Sequence, residues 1–291
     1  MRKVVLALLL VICISSPLYA AQSTIVDVEG NACMGDDKSR KQTEQAAMAD
    51  AKRSAAERAL TYLKSETEVK NMTVEKDLVN VYAQATVKII QELEKNWFRD
   101  ANSGDCYRIK IKAEIVPDEK ALEKAFKVKD FADNPGAPLK VQLWTDKGEY
   151  KRGEKIKIYV KGNKPFHARI LYKDTSGQIV QILPNPYRKD NYFQGGVVYE
   201  LPEGNKDRFR LEVSPPFGSE QVILFASTAP LGDLDLESGG EVYGVKTKER
   251  DIGIISRGIK IIAGDRLGGV SASRPPGAEF VESNAELKTL R

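Results

Sequence analysis

The chain has 291 residues, with 45 lysines and arginines against 41 aspartates and glutamates, a formal charge of +4. Nucleic-acid binders carry a basic stripe with aromatics between its charges, whereas here both signs are interleaved throughout. The densest basic stretch, Lys151, Arg152, Lys155 and Lys157, contains Glu149 and Glu154 and reads as a polar strand face.

Arg2 and Lys3 precede an unbroken apolar run, Val4 to Ile14, which Ser15-Ser16-Pro17 breaks before Leu18-Tyr19-Ala20. A positive start, an apolar core and a small residue at the cut form a secretory signal, here residues 1–20, with Ala21 opening the mature chain. The apolar run is about half the ~20 residues that span a bilayer, so a cleaved signal is expected rather than an anchor. Cys13 lies inside this run and leaves with it. No later stretch is long and apolar enough to cross a membrane, so no integral segment is expected in the mature protein.

Residues 21–133 read as an α+β domain. A short strand, Ser23 to Glu29, is followed by a helix from Ser39 to Lys64. Along that helix Met48, Ala51, Ala55, Ala59, Tyr62 and Leu63 recur at three- and four-residue spacing. Its face is mostly alanine, which permits close approach to a neighbour. A helix over Val74 to Ala85 comes next. Thr86 to Trp97 is strand-like, although Ile90-Gln91-Glu92-Leu93 fits a helical extension equally well. Cys106 to Val116 alternates cleanly through Tyr107, Ile109, Ile111, Ala113 and Ile115, the period of a half-buried strand. Glu119 to Ala132 reads as a closing helix. The expected layer has helices on one face of a short antiparallel sheet.

Two cysteines follow the signal, Cys33 just beyond the first strand and Cys106 at the start of the last. If those strands are antiparallel neighbours, the two ends meet. In an oxidising compartment an isolated pair is expected to form a structural disulfide, and two thiols do not complete a zinc shell.

Asn134-Pro135-Gly136-Ala137-Pro138 cannot continue a helix and reads as a linker over 134–138. Beyond it, Leu139–Trp144, Lys155–Val160, His167–Tyr172, Gln178–Leu183, Val197–Leu201, Arg208–Val213 and Gln221–Ala226 alternate with turn residues. This spacing predicts an all-β immunoglobulin-like sandwich over 139–231. Residues 232–263 read as an extension holding an added strand or short helix at Val242–Val245 and Ile252–Ile262. From Gly264 to Arg291, glycines, prolines and a polar end read as a mobile tail.

No catalytic, cofactor-binding or metal-binding set emerges, and a non-enzymatic protein is expected. A triad needs a histidine base in most versions, and His167, the only histidine, lies in a strand-like run without a serine or acid beside it. Gly264-Asp265-Arg266-Leu267-Gly268-Gly269 lacks the ending and the strand–helix setting of a phosphate loop. Asp233, Asp235 and Glu237 match no calcium loop and read as an acidic turn. Asn71-Met72-Thr73 fits the glycosylation sequon. Loops on a rigid scaffold carry binding function, which makes Tyr150, Gly153, Glu154, Asn185 and Tyr187 the candidates for a partner-binding surface. Tyr187, Tyr192 and Phe193 supply the aromatics that a ligand-sensing or carbohydrate-binding module would use.

Five blocks carry a family resemblance: Tyr150-x-x-Gly153-Glu154-x-Ile156, Asp174-x-x-Gly177-x-Ile179, Leu183-Pro184-Asn185, Tyr199-x-Leu201-Pro202 and Pro216-Phe217-Gly218-x-Glu220. On these, Leu139 to Leu231 resembles the bacterial domain-of-unknown-function family 4384. The resemblance implies an Ig-like sandwich in envelope or secreted proteins and brings no catalytic residues. The first segment is similar, more weakly, to the amino-terminal domain of flagellar assembly protein T and related small outer-membrane lipoproteins. That likeness rests on Asp50-Ala51-Lys52-Arg53 with Ala56 and Ala59, and on Tyr107-Arg108-Ile109-Lys110-Ile111. Gln84-Ala85-Thr86 departs from that family's serine and glycine, so the small α+β fold is what the likeness implies. The expectation is an exported periplasmic or envelope accessory protein that binds envelope proteins as an adaptor or scaffold, with no nucleic acid and no cofactor. The alternative is a ligand-sensing or carbohydrate-binding module.

Overall fold

The computed structural model describes residues 21–66, 72–125, 133–204, 207–238, 242–258 and 277–291. The signal segment with Cys13, Asn71 of the sequon, and the glycine stretch 264–269 lie outside the described residues.

The first part runs β1 (Ala21–Cys33), α1 (Arg40–Glu66), α2 (Met72–Ala83), β2 (Thr86–Asp100), β3 (Gly104–Val116) and α3 (Glu119–Ala125). Ser39 starts α1 with a capping box: its hydroxyl accepts from the Gln42 amide at 3.3 Å, and Gln42 Oε1 accepts from the Ser39 amide at 2.8 Å. The alanine face then packs on β1 and β3. Ala47, Ala51, Ala55 and Ala59 are fully buried with Val26, Val28, Ile109, Ile111, Ala113 and Ile115. Gly30 lets the helix come this close, since a Cβ there would lie 2.3 Å from both the Ala47 carbonyl oxygen and the Ala51 amide nitrogen. β1 and β2 both pair antiparallel with β3. On the sheet face away from the helices, Asp27 lies opposite Lys112 and Glu29 opposite Lys110.

The doubtful stretch after Thr86 is a strand, and its ambiguity has a cause. β2 carries two irregularities, between Ile89 and Gln91 and between Glu92 and Glu94. Each bulge inserts a residue and breaks the period-two pattern that marks a strand.

The second part is a β-sandwich. It contains β4 (Val141–Thr145), β5 (Glu149–Lys151), β6 (Ile158–Gly162), β7 (Phe166–Lys173), β8 (Ile179–Leu183), β9 (Tyr192–Phe193), β10 (Val198–Leu201) and β11 (Ser219–Ser227). A three-stranded sheet ordered β10-β6-β4 covers β8, β7 and β11. Val141, Ile158, Val160 and Leu201 from the small sheet meet Phe166, Ala168, Ile170, Val222 and Leu224 from the large one. Each fully buried aliphatic side chain contributes roughly 1.5–3 kcal/mol. The chain is therefore an α+β layer followed by a β-sandwich, the fold class expected. The strand expected over Arg208–Val213 is instead an extended segment with one bridge, Lys155 to Glu212. In the described part of the 232–263 extension, β12 (Leu236–Ser238) and β13 (Tyr243–Val245) continue the large sheet beyond β8, and α4 (Glu249–Ser256) follows them. Leu234 and Ile252 there bury with Leu171, Phe225 and Phe280.

Over the described residues 277–291, the expected mobile tail is corrected. Ala278–Leu290 forms β14, a 13-residue strand inside the large sheet. It pairs antiparallel with β11 over Ser219–Ser227 and with β1 over Ala21–Ile25, and parallel with β5. The α+β layer and the sandwich thereby share one 11-stranded sheet, while residues 134–138 lead into β4 of the three-stranded sheet. Polar composition hid the strand because its charges have partners in the interior. The Glu279 carboxylate meets Lys164 Nζ at 2.9 Å and accepts from the Leu139 amide. Arg257 bridges Glu114 at 2.7 Å and Glu282 at 3.0 Å, while Ser23 also donates to Glu114. A strand flanked on both sides satisfies its backbone through its neighbours, so its own hydrophobic alternation can be weak.

Candidate functional site

Cys33 and Cys106 occupy opposed positions on β1 and β3 and are joined in a disulfide. Cys106 is fully buried. The bond closes a sequence separation of 73 residues, worth about 4 kcal/mol in the chain-entropy account.

The five proposed surface residues divide between the two ends of the sandwich. Tyr150, Gly153 and Glu154 lie at the end where β14 finishes, since Tyr150 is in register with Thr289 and the Arg152 amide donates to the Leu290 carbonyl. Asn185 and Tyr187 follow β8, whose last residue Leu183 is in register with Ile170, and Ile170 with Leu224 of β11. Leu224 pairs with Ser283, near the middle of β14. Several residues of strand at about 3.3 Å each separate the two groups.

At the first end, Tyr150 is fully buried rather than displayed. Its hydroxyl donates to Asp146 Oδ1 at 2.6 Å and accepts from the Lys147 amide at 3.1 Å. Burial, with the Asp146 hydrogen bond adding to it, pushes the Tyr150 phenol up to about 12. Gly153 turns the chain at φ +79°. Glu154 accepts from the Lys151 amide at 2.8 Å and from Lys147 Nζ at 3.0 Å, and its carboxyl is held below its ordinary range by these bonds, the backbone one foremost. An open polar cleft lies alongside, lined by Glu149, Lys173, Asp174, Glu220, Glu286 and Lys288. Glu220 is buried at its base, accepting from the Tyr172 hydroxyl and from Thr289 Oγ1 at 3.1 Å. Burial, reinforced by Glu220, pushes the Tyr172 phenol well above its ordinary value.

At the other end, Asn185 is buried and builds the loop. Its amide donates to the Ile182 carbonyl at 2.8 Å, and its Oδ1 accepts from the Tyr187 and Arg188 amides at 2.9 and 2.7 Å. Arg188 then pairs with the buried Asp207 at 3.1 Å and lies 5.5 Å over the Phe193 ring. This brace holds Tyr187 out, 45% exposed, with Tyr192 at 42%. His167 sits on β7 with its ring 5.1 Å from Tyr192.

Among the described residues, no three His, Cys, Asp or Glu side chains are grouped to hold a metal. Asp235 takes part in backbone pairing with Lys246 and Thr247, and Glu237 meets Lys246 at 3.6 Å. No described helix is long and apolar enough to cross a membrane.

Sequence reasoning missed an aromatic pair on the three-stranded sheet. Trp144 and Tyr159 are register partners on β4 and β6, with ring centroids 5.5 Å apart and planes 14° from parallel. Alternation along each strand could have found them: Leu143 and Val160 point inward, which turns Trp144 and Tyr159 outward.

The blocks behind the family resemblance have roles in the fold. Asp174 Oδ1 accepts from the amides of Ser176 and Gln178 at 2.8 and 2.9 Å, and Gly177 follows at φ +86°. Ile156, Ile179, Leu183 and Leu201 are core residues. Gly218 has φ +152°, and a Cβ there would lie 2.8 Å from Thr175. These are the turns and the core of the sandwich. No curated protein and no solved structure matches the chain. Residues 149–230 match the model of the family described as Domain of unknown function (DUF4384).

Proposed function

We propose that this is an exported, non-enzymatic accessory protein of the cell envelope that binds a protein partner as an adaptor or scaffold. The observation that supports it best is the braced loop after β8. Tyr187 and Tyr192 stand in solvent while Asn185 and the Arg188–Asp207 pair fix the backbone beneath them. Rigid, exposed tyrosines give large contact area at low entropic cost and are enriched among the residues that dominate protein interfaces. The leader-like residues 1–20 and the Cys33–Cys106 disulfide support an oxidising compartment outside the cytoplasm.

A photo-crosslinking residue at position 187 tests this in cells. One dominant envelope protein is expected to be captured from position 187, with loss of capture on Tyr192→Ala and no capture from position 154. Equal capture from both positions, or none from 187, would overturn the reading. Amino-terminal sequencing of the exported protein is expected to begin at Ala21.

A further inference from the structure

We propose that the outer face of the three-stranded sheet is a binding platform for a neutral polysaccharide chain. This face lies on a different surface from the Tyr187 loop and does not depend on the adaptor reading.

The face is built from two cross-strand rows. Trp144, Tyr159 and Glu200 form one, and Gln142, Lys161 and Val198 the other. Trp144 is 37% exposed and Val198 52% exposed, on a face whose reverse side is fully committed to the sandwich core. Scattered single apolar residues on a surface need no explanation; here an exposed indole stacks on a half-buried phenol across two strands, which leaves part of the ring pair in water.

The surrounding polar groups narrow the ligand. Glu200 accepts from the Tyr159 hydroxyl at 3.0 Å and from Lys157 Nζ at 2.7 Å, and Lys161 pairs with Asp133. The charges are thus compensated within the face, which favours neither a polyanion nor a polycation. What remains is the indole face of Trp144 turned away from Tyr159 and the edges of the stacked pair, rimmed by an amide, a phenol, a carboxylate and ammonium groups. A pyranose ring has the matching chemistry, with an apolar C–H face for the rings and a rim of hydroxyls that both donate and accept.

Size separates a glycan from a protein partner. Three strands of four to five residues make a face about 16 Å long and about 10 Å between outer strand axes. A stable protein interface needs roughly 800 Å² on each side, several times that footprint. The face is an open strand surface, whereas sites for free small molecules are concave and enclose their ligands. A chain of sugar rings lying across the strands fits both limits.

Tryptophan fluorescence of the full mature protein gives a direct test, because the chain has only two tryptophans, Trp97 and Trp144. Cellohexaose and N-acetylchitohexaose would be titrated to about 10 mM, enough to approach saturation of a site with a dissociation constant of about 1 mM. A saturable change is expected with at least one of them. It should persist in Trp97→Phe, and affinity should fall at least about tenfold in Gln142→Ala and in Trp144→Ala, the latter read by calorimetry. An oligogalacturonate of the same length should bind more weakly. No saturable change with either neutral sugar, undiminished binding by Trp144→Ala, or preference for the anionic sugar would each overturn the proposal. Intact thermal unfolding of each variant separates loss of binding from loss of fold.

Discussion

A single hydroxyl shows how burial becomes a pH dependence. The ordinary tyrosine value is near 10, and the folded chain holds the Tyr150 phenol up to about 12. The native state therefore keeps a proton that the unfolded state releases between those values, and stability falls as pH rises through that window. Below pH 10 the contribution is fully present. Melting temperatures measured from pH 9 to 11.5 should decline, and Tyr150→Phe should decline less steeply over the same range. Tyr172, held up by burial beside Glu220, adds to the residual slope. Gly30 makes the complementary point about space. A methyl group there collides with the α1 backbone, so Gly30→Ala should cost about 1–3 kcal/mol in urea denaturation, the range for overpacking. An unchanged midpoint would show that the helix can move away at no cost.

Individual elements were legible in the sequence to the degree that each carried its own pattern. The alanine spacing of α1 and the alternation of Tyr107 to Ile115 in β3 mark a helix and a strand without help from anything else. β2 was ambiguous because its two bulges interrupt the alternation. β14 was hidden because Glu279 and Glu282 are buried or half-buried against Lys164 and Arg257, which are far away in sequence. The Cys33–Cys106 pairing was legible because each cysteine marks the end of a readable strand. In the unreduced protein neither thiol should react with a labelling reagent. The Cys33→Ser, Cys106→Ser double variant should lose about 4 kcal/mol, a large share of a typical 5–15 kcal/mol stability. Comparable urea midpoints for the two proteins would remove the disulfide from any structural role.

At the scale of the whole molecule, β14 makes the α+β layer and the sandwich mechanically continuous. It contributes ladder bonds to β1 on one side and to β11 on the other. Calorimetry should show one cooperative transition rather than two. Glu279→Ala strands Lys164 in the interior and should cost about 3–5 kcal/mol, lowering that single transition as a unit. Two transitions, with only one of them moved, would mean that the halves unfold independently.

The sequence by itself determined what depends on local spacing: the leader-like start, the fold class of each half, the family blocks within 149–230, and the pairing of the two later cysteines. Tertiary structure decided everything that depends on which elements become neighbours. It turned Tyr150 and Asn185 from surface candidates into buried supports, put Tyr187 and Glu154 at opposite ends, and drew the polar final strand into the centre of the sheet. It also set Trp144 beside Tyr159, two residues whose relation is fixed only by strand register. The physical reason is common to all of these. Periodicity reports which face of an element is apolar, while burial, charge pairing and cross-strand contact depend on what the rest of the chain places against that face.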